Sequence, residues 1–181
     1  MRYGFFAKYL VFPFLFFPLS ILLLTGIAYC LELRSGAFEG GGNIPARYTC
    51  LGENVSPGLS WSGVPAGAQS FVLIMDDPDA PAGTWVHWVI YDILKDAGGL
   101  KENVPKRPVL ADGARQGMNS FRRVEYGGPC PPPGPAHRYV FTLYALDVVL
   151  GLAPGASKET VMRGMKGHIL GKATLTGMFG R

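Results

Sequence analysis

Two short segments about fifty residues apart constrain this chain more than anything else in it. The first is Asp76-Asp77-Pro78-Asp79-Ala80-Pro81, followed by Trp85-Val86-His87-Trp88. The second is Gly128-Pro129-Cys130-Pro131-Pro132-Pro133-Gly134, followed by Ala136-His137-Arg138-Tyr139. Each couples a proline-stiffened loop to a histidine at the edge of an apolar run. Proline fixes φ and lowers the entropy lost in holding a loop still. Two stiffened loops beside two histidines and two aspartates predict one small polar pocket.

The apolar runs themselves are short and rich in β-branched and aromatic residues. Ser70 to Met75, Trp85 to Ile93 and Arg138 to Leu146 read as core strands, with both faces of the third able to bury. Ala173 to Met178 alternates as a last strand should. Turn residues punctuate the chain at Gly40-Gly41-Gly42, Ser56-Pro57-Gly58, Pro65-Ala66-Gly67, Gly98-Gly99 and Gly127-Gly128. One helix is expected from Ser157, with Glu159 in its first turn and Val161, Met165 and His168-Ile169 at helical spacing. Residues 95–125 show little periodicity, which predicts a long functional or mobile connection. The fold class is therefore mainly β.

The first 31 residues are unlike the rest. Arg2 and Lys8 are the only charges before Glu32, and Tyr9 to Leu24 is almost wholly apolar. This is the pattern of a secretory signal peptide over residues 1–28, with cleavage predicted after Ala28 in Gly26-Ile27-Ala28. The alternative is an uncleaved membrane anchor, since Tyr9 to Leu31 is long enough to span a bilayer. Residues 31–181 have the size of a single domain, and the expected location is the periplasm or the exterior.

Of the net charge of +4, two units belong to the leader. The remaining chain has no basic arm, zinc-finger spacing or aromatic RNA-binding signature, so nucleic acid is not an expected partner. A mildly basic stretch includes Lys101, Lys106, Arg107, Arg115, Arg122 and Arg123. It reads as a solvated loop or as a means of steering an anionic ligand. Outside the cytosol thiols tend to be oxidised, so Cys50 and Cys130 form a candidate disulfide that would staple the proline-rich loop. Two buried free thiols are the other reading. Cys30 is then odd, and Ile27-Ala28-Tyr29-Cys30 only faintly matches a lipoprotein cleavage site.

Several chemistries lack their signatures. No His-x-x-x-His, Cys-x-x-Cys or His-Glu-x-x-His spacing supports a metal site. No Gly-x-Ser-x-Gly elbow supports a serine hydrolase, and Gly171-Lys172 is not part of a phosphate-binding P-loop. Anion binding suits the parts better. Glycines let backbone N–H groups approach an oxyanion, imidazoles and the Tyr139 hydroxyl add donors, and Trp85 with the prolines supplies apolar walls. Asp77 is placed to orient a histidine, and Asp79 to brace its own turn.

These segments resemble the two signature segments of the phosphatidylethanolamine-binding protein family, in its bacterial, Raf-kinase-inhibitor-like branch. Ile44-Pro45-Ala46-Arg47-Tyr48-Thr49, Ser56-Pro57, Leu59-Ser60-Trp61 and the ending Leu175-Thr176-Gly177-Met178-Phe179 add to the resemblance, which covers residues 31–179. It implies a β-sandwich of Greek-key type with a few short peripheral helices and one small anion pocket. Asp77, Trp85, His87, Gly128, His137 and Tyr139 would line that pocket, Pro129 and Pro131 would shape its rim, and Arg138 would support the loop from behind. The implied ligand is phosphate, a phospholipid headgroup or a similar anion, without cofactor or turnover. Two other readings stay open: an enzyme-inhibiting or interaction module using the Pro129–Pro135 loop, and a weak hydrolase using Asp77 with His87. The C-terminal helix that closes the pocket in animal members is not expected here.

Overall fold

The computed structural model describes residues 1, 4 and 30–181. The expectations of a signal peptide, a membrane anchor and cleavage after Ala28 fall almost wholly on residues outside those described. Among the described residues no helix is long and apolar enough to cross a membrane.

Eight strands form two antiparallel sheets. The smaller holds β1 (Glu32–Ser35), β2 (Leu59–Ser62) and β5 (Gly99–Leu100) in the order β1-β2-β5. The larger holds β3 (Ser70–Asp77), β4 (Trp85–Leu94), β6 (Arg115–Gln116), β7 (His137–Leu146) and β8 (Ile169–Phe179) in the order β6-β4-β3-β7-β8. This is not a simple meander: after β4 the chain crosses over, and β7 returns to the other side of β3.

Alternation decides which layer each side chain enters. Phe71, Leu73 and Met75 of β3 face the smaller sheet and pack with Leu33, Leu59, Trp61, Trp88, Phe141 and Leu143 in the main core. Val72 and Ile74 point the other way, to Val89, Tyr91 and Leu146 and to the helix α1 (Lys158–Met165) through Val161 and Met165. A strand covered on both faces must be apolar where it is covered, and β3 is so from Phe71 to Met75.

The helix starts where expected. The Ser157 hydroxyl caps it by accepting from the Thr160 N–H, with Glu159 in the first turn. Its end differs from expectation. His168 and Ile169 are not on it, because Gly167 at φ +85° turns the chain out of the helix and Ile169 opens β8. The connection from Lys95 to Glu125 is neither periodic nor loose. Gln116 accepts from Trp88 Nε1 at 2.7 Å and donates to the Pro105 and Arg107 carbonyls at 2.8 and 2.9 Å. Side chains pin this segment to the core where a ladder would otherwise do so. Arg115, one of the basic residues, is held by Asp92 and so is not free to steer a ligand.

Candidate functional site

Three strand ends meet at one side of the larger sheet: the end of β3 at Asp77, and the starts of β4 at Trp85 and of β7 at His137. Asp77 lies directly opposite Trp85. Two steps along, the pairing slips: Met75 faces Trp88 while Asp76 faces Val86, so His87 is an extra residue in β4. Such a bulge breaks strict alternation and re-aims a side chain. It lets His87 and Trp88 both turn inward, Trp88 into the core and His87 to the site.

The two imidazoles are held at the same nitrogen by different acceptors. His137 Nδ1 donates to Asp77 Oδ2 at 2.8 Å, while Asp77 Oδ1 accepts from the Asp79 N–H at 2.8 Å. His87 Nδ1 lies 2.7 Å from the Gly127 carbonyl, which can only accept, so that nitrogen carries the hydrogen. Asp77 thus orients a histidine as expected, and that histidine is His137 rather than the His87 of the hydrolase reading. The reason is positional, since His137 is a same-face neighbour on the adjoining strand and the bulge points His87 at the Gly127 loop. Burial lowers the His87 pKa below its ordinary 6.5; the Gly127 carbonyl, the Asp77 charge, the Gly128 carbonyl and the Asp76 charge act against it without reversing it. His87 is thus neutral at pH 7, and its Nε2 is a bare lone pair.

Aromatic rings enclose this edge. Phe121 meets Trp85 and His87 edge to face, with centroids 5.3 and 5.4 Å apart, and Tyr139 meets His87 in the same way at 5.1 Å. The Tyr139 hydroxyl and Trp85 Nε1 are buried without a hydrogen-bond partner among the described residues. Burial, and then the Asp77 charge, push the Tyr139 hydroxyl pKa well up, so it remains a donor.

Asp79 and Arg138 stand just outside. Arg138 grips Asp79 as a fork, with Nη2 at 2.6 Å and Nε at 2.9 Å, and its backbone N–H adds a third contact at 2.8 Å. That grip holds the Asp79 carboxyl down to about 2. The pair ties the turn after β3 to the start of β7. On the opposite face, Lys158 Nζ binds Asp76 Oδ2 at 2.6 Å, so the two adjacent aspartates serve different sides of the sheet.

The proline-rich loop closes the remaining side. Cys50 and Cys130 form a disulfide, with Cα atoms 5.4 Å apart. The Cys50 N–H donates to the Pro129 carbonyl at 3.0 Å, and the Gly128 N–H to Asn54 Oδ1 at 2.8 Å. Gly128, Pro129 and Pro131 are all buried, so the exposed part of the loop is Cys130 and residues 132–136 rather than the two expected rim prolines. Gly128 is required by closeness, not by φ: a Cβ there would run into the Tyr48 carbonyl and come within 2.6 Å of Asn54 Oδ1. Gly128→Ala should cost about 2 kcal/mol in chemical denaturation by breaking that hydrogen bond and displacing the loop. A loss below about 0.5 kcal/mol would mean the loop shifts freely.

Some organising residues escaped the sequence reading. Asn119 accepts from the Phe121 and Arg123 N–H groups at 3.0 Å each and donates to the Glu125 carbonyl at 2.8 Å. It folds the loop that carries Phe121 and Gly127. Nothing in an aperiodic stretch marks such a residue; an Asn two places before an aromatic is only a weak turn signal. His168 lies elsewhere, paired with Asp147 at 2.8 Å. Among the described residues, no group of three or more His, Cys, Asp or Glu is arranged to hold a metal ion. Recesses of about 180 to 610 Å³ occur elsewhere, beside Tyr48 and Glu102, beside Leu110, beside Asp92 and Val149, and between β1 and β8, and the expected pocket is not one of these.

An antiparallel two-sheet arrangement with a polar, aromatic-walled cluster at its strand ends is the architecture of a small β-sandwich protein. The phosphatidylethanolamine-binding protein family model matches residues 34–180. A UPF0098 protein of Methanothermobacter thermautotrophicus is 56% identical over 151 residues, covering 83% of this chain and 99% of that one. One from Aquifex aeolicus is 51% identical, covering 83% and 89%. Two solved structures share the fold at a TM-score of 0.78. A putative phosphatidylethanolamine-binding protein homologue from Chlamydia trachomatis is 40% identical, covering 84% of this chain and 99% of that one. E. coli YbcL, described as a member of the mammalian family, is 30% identical, covering 83% and 98%. The chain belongs to the phosphatidylethanolamine-binding protein family.

Proposed function

We propose that this is an exported binding protein whose Asp77–His87–His137–Tyr139 cluster holds a phosphate group or a similar small anion, free or in a phospholipid headgroup, without turning it over. One observation carries the reading. Two buried donors, the Tyr139 hydroxyl and Trp85 Nε1, have no partner among the described residues, and the Tyr139 ring meets His87 edge to face. Buried polar groups are nearly always satisfied, so such a set invites a ligand. Membership in the phosphatidylethanolamine-binding protein family supports the ligand class. Turnover is disfavoured because no serine, threonine or cysteine side chain is hydrogen-bonded to either ring among the described residues.

NMR titration with inorganic phosphate and phosphoethanolamine, followed at the His87 and His137 imidazoles, should give saturable shifts at both. His87→Ala should weaken that binding at least about tenfold, equivalent to about 1.4 kcal/mol, with the fold intact by circular dichroism. Unchanged affinity would sink the site. No shift at millimolar ligand would instead turn attention to a protein partner on the exposed 132–136 segment.

Export rests on the leader pattern of residues 1–28, and tethering through an uncleaved or lipidated N-terminus is its variant. Sequencing the N-terminus of protein recovered from an expressing bacterium should find a start close to Tyr29. A start before residue 20 contradicts cleavage.

A further inference from the structure

The groups at the strand ends are assembled but shut away. Asp77 and His87 are each 3% exposed, and the Tyr139 hydroxyl and Trp85 Nε1 lie out of reach of solvent. Nothing can touch those atoms unless a covering side chain moves. Phe121 is placed to be that side chain. Its ring meets Trp85 and His87 edge to face, yet it is itself 38% exposed, more than any other ring gathered there. The backbone that carries it is pinned. The Ser120 N–H donates to the Val86 carbonyl at 2.9 Å, and the Ser120 hydroxyl accepts from the Val86 N–H at 2.9 Å. At the other end of the loop the Gly127 N–H donates to the His87 carbonyl at 3.0 Å, while Asn119 closes the turn between by accepting from Phe121 and Arg123. A pinned backbone with an exposed aromatic at its tip leaves one motion free, rotation of the Phe121 side chain. Such rotations are fast in exposed residues, on the order of picoseconds to nanoseconds.

The ring also has a seat made for it. A Cβ at Gly127 would lie 2.7 Å from two carbons of the Phe121 ring and 3.4 Å from Asn119 Nδ2. Gly127 is not among the glycines in the left-handed region, so its backbone would accept an alanine. The missing side chain therefore serves the ring that rests there, over the residue whose carbonyl holds His87 Nδ1.

We propose that Phe121 is the shutter of this site. Resting on Gly127, it closes Trp85 and His87 off from water; rotated away on its fixed backbone, it admits a small ligand. The inference rests on the anion reading above only for what passes the shutter, and the closure itself does not depend on it. Phe121 then sets how fast a ligand enters and leaves. It also protects the Trp85 indole N–H, which has no hydrogen-bond partner among the described residues and exchanges with water only while the ring is away.

The test is hydrogen exchange of the tryptophan indole N–H groups, followed by NMR in the purified wild-type protein, Phe121→Ala and Gly127→Ala. Trp88, whose Nε1 is bonded to Gln116 in the core, is the internal reference. Both variants should speed exchange at Trp85 at least about tenfold and leave Trp88 unchanged. Gly127→Ala keeps the ring and removes only its seat, so lost aromatic packing alone would not reproduce the result. Stopped-flow mixing with inorganic phosphate should then show association at least about tenfold faster in both variants, whereas a ring that is only a wall would change dissociation alone. Unchanged exchange at Trp85 in either variant overturns the shutter and leaves the anion reading standing. Equal acceleration at Trp88 overturns it as well, since the whole core would then have loosened. Faster exchange at Trp85 with no phosphate binding in any of the three proteins supports the shutter and overturns the anion reading instead.

Discussion

Replacing both Cys50 and Cys130 with serine lowers the unfolding free energy by about 4.5 kcal/mol, the value the chain-entropy model assigns to a crosslink over a loop of this length. The bond joins residues 80 apart in sequence. It acts mainly on the unfolded chain, which without it explores far more conformations. Domains of this size are stable by only about 5–15 kcal/mol, so the loss is a large share of the whole. In thermal unfolding it corresponds to a drop of about 10 °C. Both cysteines are exposed, so a dithiol reductant should reproduce the double substitution in the wild-type chain. The folded seam has its own ties, from the Cys50 N–H to the Pro129 carbonyl, from Gly128 to Asn54, and from the Tyr126 hydroxyl to the Tyr48 carbonyl at 2.8 Å. Because they survive reduction, the loop should keep its place while the domain as a whole weakens. A loss below about 1 kcal/mol would show that the unfolded chain is already compact across this seam.

Asp92→Ala is the other substitution with a large expected effect, at about 3 kcal/mol. Asp92 is buried near the end of β4 and serves three donors at once: the Leu150 N–H at 2.8 Å, the Gly151 N–H at 3.1 Å and Arg115 Nη1 at 3.1 Å. Truncation leaves two backbone donors and a partly buried guanidinium short of an acceptor, and such orphans are costlier than the bonds are valuable. Asp92 also sits at φ +56°, in the left-handed region that Asp and Asn enter more readily than Ala. Asp92→Asn should recover part of the loss, since it keeps one acceptor oxygen and the backbone preference. If Ala and Asn cost the same, the charge on Arg115 rather than the N–H acceptors dominates. Denaturant midpoints with unchanged slope would read either result cleanly.

The long strands and the loops that join them could be read from the chain because their causes are local. A run such as Phe71 to Met75 is apolar at every position, and proline and glycine stop it on both sides. The helix start at Ser157 was legible for the same reason, since a cap and its first turn lie within four residues. The end of the helix was not. His168 and Ile169 fit the helical spacing, and only the turn at Gly167 and the pull of the β7 ladder on Ile169 assign them elsewhere. Residues 95–125 were opaque because Gln116 and Asn119 fix them through contacts with residues far away in sequence.

For the site, the sequence supplied the cast but not the pairings. Asp77, His87, His137 and Tyr139 could be named from their places beside stiff loops and from family resemblance. Which histidine Asp77 binds depends on a one-residue slip between β3 and β4, and a slip leaves no mark on periodicity. Phe121 and Asn119 join the cluster only because the loop folds back over β4. The sequence by itself determined a mainly β domain, its main turns, and the residue types gathered at its strand ends, because propensity and burial pattern act along the chain. The tertiary structure alone decided the tautomers, the partners and the two unsatisfied donors, because hydrogen bonds between strands depend on register, and register is settled only when the sheets pack.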